Sequence, residues 1–374
     1  MSGSLEPVLE PPLEPVLEPP LEPVLLFDTY EDFLVALQKQ QLVLQADPLP
    51  SLPILPPDFP INPEDIENID QLLTLIDFIN THNLHLRNVK YHRLNSCKEP
   101  LVKLNSMIGL AEAKENLASQ LLSLCDRTSN DDSTKINSVI YGPPGCGKTT
   151  FAQVLADVYL KLGTVKTNKM VNGDRSNLIG QYIGETAIKT KKVLQSAIGG
   201  VLFIDEAYQL GHAADGNRCP YAYECINTIN QFITENPGKL VIILAGYEKD
   251  IQQNFFAQND GLARRFPFKY TINGYTEQEL VQIFEKQASK AGYTISKDTV
   301  TADLFKDKKL FEFYGGDTEN YFNCCRIIHD KRMFAHISVN KELTKVDIEK
   351  GLALYKKHKG QKEVDNGVWR HMYT

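Results

Sequence analysis

Apolar residues recur three and four apart in two early stretches, DTYEDFLVALQKQQLVLQ (28–45) and PEDIENIDQLLTLIDFIN (63–80), each opening on acids and a turn residue. Such spacing lines one side of a helix and predicts two short amphipathic helices. The pattern leaves open whether they pack on the main body or hold a partner. From residue 101 the signal becomes continuous. LVKLNSMIGLAEAKENLASQLLSLC predicts a helix over Ala111–Cys125, and short apolar runs follow at Ile136–Tyr141, in GGVLFIDEAYQL and in KLVIILAGY. These runs suit strands, and helical spacing fills the intervals between them. Alternation of this kind predicts an α/β fold, a parallel sheet covered by helices on both faces. Further on, TEQELVQIFEKQASKAG, the segment around Asp303–Phe313 and TENYFNCCRIIHDKRMFAHI are all helical by spacing.

The first 25 residues obey neither period. LEPVLEPP runs two and a half times, and thirteen of the 20 prolines fall within residues 1–60. Proline removes backbone donors and glutamates repel one another, so neither helix nor ladder is completed. Residues 1–60 therefore read as an extended, disordered tail with one short helix. A plain spacer is the simpler role for it, and docking through its PPII-like conformation is the alternative.

Charge changes the picture once it is located. The chain of 374 residues has a formal net charge of −7, but the first 60 residues hold ten acids against Lys39 and so carry −9. The remainder is left at about +2, which argues against a strongly basic nucleic-acid surface. No apolar run approaches a membrane span, and no positive cluster followed by an apolar stretch opens the chain, so a cytoplasmic location is expected. Seven cysteines without a C-x-x-C pair read as reduced thiols, with no zinc site.

VIYGPPGCGKTT carries the clearest chemistry. It fits G-x-x-x-x-G-K-[ST] at Gly142, Gly147, Lys148 and Thr149, directly after one apolar strand and directly before a helix. In a loop of this kind the backbone N–H groups of Gly142, Pro143, Pro144, Gly145, Cys146 and Gly147 (prolines excepted) curl around phosphate oxygens, and the helix start at Lys148, Thr149 and Thr150 adds positive potential. Lys148 is expected to reach the β and γ phosphates of ATP, and Thr149 to ligate Mg²⁺. The second apolar strand ends in Asp205 and Glu206. Acids at a strand end are ordinary by themselves. Following a phosphate loop, they read as a Walker B pair, with Asp205 holding Mg²⁺ through water and Glu206 polarising the attacking water. Arg264 and Arg265, in NDGLARRFPF, sit in a polar turn before a short strand. Guanidinium forks suit spread phosphate charge, and an arginine supplied by a neighbouring subunit raises phosphoryl-transfer rates by about 10³ to 10⁵.

Together the runs MIGLAEAKENL, YGPPGCGKTT, LIGQYIGETAIKTKKVLQSAIGGVLFIDEAYQL, VIILAGY and GLARRF resemble AAA+ ATPases. They look most like the group that includes the CbbX-type red rubisco activases and the stage V sporulation protein K. The resemblance spans about Leu101 to Ile337. It implies a P-loop NTPase αβα domain over 101–272, a helical lid over 273–355, and flanking segments at 61–100 (helical extension) and 356–374 (basic tail). It also implies a homo-hexamer with ATP at each subunit junction. In such rings a loop equivalent to Tyr182, Ile183 and Gly184 lines the pore and pulls on a polypeptide.

Three positions depart from the family pattern. Where the family usually has two arginines around the finger, this chain has Ala263 and Arg264, with Arg265 at the final position; Arg265 is the expected finger and Arg264 its alternative. The sensor position at the end of the fourth strand is Tyr247. In the lid, Gly316 and Glu319 take the places of the usual arginines, and Arg326, seven residues after Glu319 and near the same helical face, is the candidate replacement. The leading expectation is thus an ATP-driven remodeller of a protein client. A nucleic-acid motor on the same fold is the runner-up, although GQYIGETA carries no positive charge and includes Glu185; an ATP-gated assembly scaffold is the third.

Overall fold

The computed structural model describes residues 65–84, 89–126, 136–182, 184–211, 219–259, 261–334 and 340–371, with side chains through residue 360. The repeat, the helix expected over 28–45 and Ile183 lie outside the described residues, as do the side chains of residues 361–374, Trp369 among them. Among the described residues four helices precede the first strand: α1 (Ile69–Thr81), α2 (Val89–Ser96), α3 (Lys98–Asn105) and α4 (Ala111–Asp126). The start of α1 is set locally, since Asn68 accepts from the Gln71 N–H while the Gln71 side chain reaches back to the Asn68 N–H, a capping box. Its apolar face then buries Ile69, Leu72, Leu75, Ile76 and Ile79. The second amphipathic helix thus packs on the body.

Among the described residues the main sheet is then built from five short strands: β1 (Ser138–Tyr141), β2 (Met170–Gly173), β3 (Val201–Ile204), β4 (Val241–Gly246) and β5 (Phe268–Thr271). They form one sheet of order β2-β3-β4-β1-β5, parallel at every pairing. Between them run α5 (Lys148–Lys161), α6 (Glu185–Ser196) and α7 (Pro220–Glu235). Alternate strand residues point to opposite faces, and the two cores follow that alternation. Ile140, Val201, Phe203, Val241 and Ile243 join α1, α3, α4 and α5 in one core. Val139, Leu202, Ile204, Ile242 and Leu244 join α6 and α7 in the other. The expected three-layer α/β architecture is therefore present, and the sheet reads as continuous apolar runs because both of its faces are covered.

A third core is built by residues from 280 to 355, including Leu280, Phe284, Phe305, Phe311, Tyr321 and Tyr355. It is framed by α8 (Glu277–Lys290), α9 (Tyr314–Met333) and α10 (Lys345–His371), with a two-residue parallel pair, β6 (Thr294–Ile295) and β7 (Glu342–Leu343). The helix expected around Asp303–Phe313 is corrected: only Ala302–Phe305 winds, as a 3₁₀ turn. The Asp307 carboxylate accepts from the N–H groups of Lys309 and Leu310, and a side chain that captures its own backbone in this way competes with helix. Among the described residues no helix is long and apolar enough to cross a membrane.

Candidate active site

All five strands run the same way, so the loops after Tyr141, Gly173, Ile204, Gly246 and Thr271 emerge at one edge of the sheet. Ligands of parallel sheets collect at that edge. The phosphate loop leaves β1 there and is pinned at its root, where the Gly142 N–H donates to the Gly246 carbonyl at 3.1 Å. Lys148 opens α5 and is only 5% exposed. Its ammonium donates to the carbonyls of Gly142 and Pro143 at 3.1 and 3.0 Å, and the Glu206 carboxylate stands 3.6 Å away. Next in the helix, the Thr149 hydroxyl donates to Asp205 at 3.3 Å. The two expected Mg²⁺ ligands, 56 residues apart in the chain, therefore meet at the mouth of the loop. A hydroxyl beside a carboxylate fits a hard cation that keeps waters and phosphate oxygens as its other ligands.

Glu206 adopts φ +49°, ψ +46°, a left-handed conformation costing a non-glycine residue about 1–2 kcal/mol. The Glu206 N–H donates to Asp205 at 3.0 Å, which helps to hold this turn. One Glu206 carboxylate oxygen is buried without a hydrogen-bond partner. Two tyrosines close around it. Burial, and then hydrogen bonding to and charge from Glu206, push the Tyr208 phenol well above its ordinary value. Tyr247 follows β4; burial and then the Glu206 charge raise its phenol also. The ring of Tyr247 lies 6.2 Å from that of Tyr208 and 5.9 Å from the Lys148 ammonium, centroid to centroid and centroid to nitrogen. The structure thus brings Lys148, Thr149, Asp205, Glu206 and Tyr247 together.

The lid seats directly on this loop. Gly145 has φ +73°, and a Cβ there would fall 2.0 Å from the Phe313 carbonyl oxygen, so glycine is required for the approach. The Gly315 N–H donates to the Gly145 carbonyl at 3.1 Å. Tyr275, on the connection into α8, donates its hydroxyl to the Cys146 carbonyl at 2.8 Å. Cys146 itself is sealed in, and burial raises its thiol. Beside the loop, Met107, Ile108, Gly147, Thr150, Tyr275 and Ile283 help to line an open cavity of ≈ 300 Å³. The sequence reading assigned no role to Tyr208, Tyr275 or this cavity. Two runs legible in the sequence contribute to its lining, MIGLAEAKENL through Met107 and Ile108 and the glycine-rich motif through Gly147 and Thr150.

Other expected residues lie elsewhere. Arg264 and Arg265 form a 3₁₀ turn three residues before Phe268, which pairs with Ser138 at the start of β1. They therefore occupy the sheet edge opposite the phosphate loop. Among the described residues neither arginine forms an ion pair, and the Arg265 Nε is buried without a partner. Tyr182 is 70% exposed, on a turn held by α6: the Gln181 and Tyr182 N–H groups donate to Glu185, and the Gly180 N–H to Thr186. Gly184 closes the turn at φ +88°, a value that favours glycine. The expectation for Arg326 is corrected. It lies eleven residues along α9 from Gly315, roughly 16 Å at helical rise, with its guanidinium over the rings of Tyr293 and Phe322. Gly316 and Glu319 start the same helix, and neither supplies a cation.

Residues 138–270 match the family described as "ATPase family associated with various cellular activities (AAA)". The chain is 34% identical over 292 residues to the cfxQ-like protein R730 of Acanthamoeba polyphaga mimivirus, across 77% of this chain and 71% of that protein. It is 37% identical over 211 residues to the chloroplastic ribulose bisphosphate carboxylase/oxygenase activase of Cyanidioschyzon merolae, across 55% of this chain and 70% of the relative. Among solved structures, the RuvB Holliday junction branch migration motor of Thermotoga maritima aligns with a TM-score of 0.47 at 19% identity, across 67% of this chain and 71% of that one.

Proposed function

This chain belongs to the CfxQ-like, CbbX-type family of AAA+ ATPases and hydrolyses ATP, and we propose that it does so as a homo-hexameric ring that remodels a protein client. The observation that carries the reading is Tyr182, a large aromatic left 70% exposed on a turn whose backbone is tied down by Glu185 and Thr186. Burying such a side chain against a client contributes about 1.5–3 kcal/mol, enough to grip and weak enough to release in each cycle. Ile183 and Gly184 belong to the same proposed pore loop. A protein client agrees with the name of the algal relative, an activase of another enzyme. It also agrees with the fate of Lys189, whose ammonium is committed to the carbonyls of Ser176 and Ile179 and not left for a phosphate backbone.

In this reading the cavity beside Tyr275 takes the base, and the phosphates lie along the loop from Gly142 to Thr150. Lys148 exchanges its carbonyl partners for phosphate oxygens, which also loosens its hold on Glu206. Glu206, with one oxygen unpartnered, then orients and polarises the attacking water, and Tyr247 and Tyr208 keep that carboxylate in place and shield it. Thr149 and Asp205 would hold Mg²⁺, which when bound neutralises phosphate charge. Arg265, with Arg264 as the alternative, serves the site of the neighbouring subunit, since the sheet separates both from their own.

The test uses the Glu206→Gln protein, which is expected to bind ATP without hydrolysing it and to sediment as a hexamer. A photo-cross-linker placed at position 182 in this protein should capture a polypeptide only when ATP is present. A monomer under saturating ATP would refute the ring. Capture of nucleic acid instead of protein at position 182 would refute the client class.

A further inference from the structure

Asn137 is 4% exposed and stands immediately before β1. Its side chain makes two long-range bonds. The amide nitrogen donates to the Arg265 carbonyl at 3.1 Å, and the amide oxygen accepts from the Ile242 N–H at 2.8 Å. This orientation follows from the partners, because a peptide N–H only donates and a carbonyl only accepts. A side chain must therefore offer both a donor and an acceptor to satisfy both, and aspartate, leucine or alanine at this position leaves at least one of them unmet. The remainder of the arginine turn is anchored by burial, with Leu262 and Phe266 fully inside the second core. Asn137 supplies the polar tie between that turn and the sheet.

One short strand thereby carries two sites. At its C-terminal end β1 becomes the chain's own phosphate loop. At its N-terminal end, about 13 Å away over four residues, it holds the turn that presents Arg265. We propose that Asn137 is a positioning residue for Arg265: it fixes the arginine turn to β1, so that the guanidinium is correctly placed for the neighbouring subunit's phosphates. The inference rests on the ring and finger reading given above, and goes beyond it by naming the residue that aims the finger.

The consequence is directional, and subunit mixing reads it. A 1 Å misplacement of a catalytic group lowers rates by up to about 10²-fold, so homomeric Asn137→Ala should lose roughly 10- to 100-fold in ATP turnover while binding a fluorescent ADP analogue as the parent does. Mixed 1:1 with Glu206→Gln subunits, which lack hydrolysis but keep an intact finger, it should regain about a quarter of the parental rate, because in a randomly assembled head-to-tail ring half of its sites meet a competent donor. Arg265→Ala mixed with Glu206→Gln is the control and should recover equally. Recovery with Arg265→Ala but not with Asn137→Ala would show that Asn137 serves its own site, and would overturn the proposal. No recovery in the control would instead refute the ring and finger reading on which it rests. A parental rate for homomeric Asn137→Ala would overturn it as well. Asn137→Asp, which keeps the acceptor toward Ile242 and removes the donor toward Arg265, runs through the same mixing; failure of both variants to fold would assign Asn137 to core stability and not to the finger.

Discussion

Replacing Gly145 by alanine tests how closely the lid is seated on the phosphate loop. The new methyl would lie 2.0 Å from the Phe313 carbonyl oxygen and 2.8 Å from its carbonyl carbon, both backbone atoms that no rotamer change moves aside. The loop residue is also held at φ +73°, which costs alanine about 1–2 kcal/mol. Relief requires the Phe313–Gly315 turn to withdraw, breaking the Gly315 to Gly145 hydrogen bond, worth about 0.5–1.5 kcal/mol net. The two effects sum to about 1.5–3.5 kcal/mol, or a fall of roughly 2–5 °C in the unfolding midpoint for a body spanning residues 57–374, at about 2.1 cal/mol/K of unfolding entropy per residue. Hydrogen exchange gives the local readout: the Gly315 amide should lose protection while amides in β3 and β4 keep theirs. An unchanged midpoint with Gly315 still protected would refute the seated arrangement.

Arg326→Ala should leave ATP affinity and turnover at parental values, since its guanidinium rests on Tyr293 and Phe322; the loss should be confined to about 0.5–1 kcal/mol of stability, measured by urea unfolding. Asp347 predicts an acid limb. Burial alone would raise its carboxyl, but hydrogen bonds from Arg332 and Thr344 outweigh it and hold the group below its ordinary value. A depressed folded value means that the stabilisation is complete above the unfolded pKa of about 3.9 and is lost as pH falls through the folded one. Unfolding midpoints measured from pH 6 downward should therefore drop below about pH 4, and Asp347→Asn should flatten that drop while lowering stability at neutral pH.

Most of the scaffold was legible because its determinants are local. The apolar runs of β1, β3 and β4 each span six residues or fewer, and the capping pairs Asn68 with Gln71 and Thr276 with Glu279 each act over four. The phosphate loop is a contiguous motif, and its acidic partners were recognisable at the end of an apolar strand. The segment from Asp303 to Phe313 misled because apolar residues at helical spacing also suit a turn chain that buries Phe305, Leu310 and Phe311, and Asp307 decides for the turn by capturing backbone N–H groups.

What the sequence by itself determined is therefore the α/β class and the place of the contiguous glycine-rich motif between β1 and α5. Only the tertiary structure decided which distant residues meet. Tyr208 stands beside Glu206, and Tyr275 reaches the Cys146 carbonyl across 129 positions. Asn137 bonds Arg265 across 128, while Arg326 is carried away from the site along α9. Periodicity reports which face of an element is buried but not what buries it. That depends on the strand order β2-β3-β4-β1-β5, which sets β1 between β4 and β5 and so places a phosphate loop at one end of a strand and an arginine turn at the other.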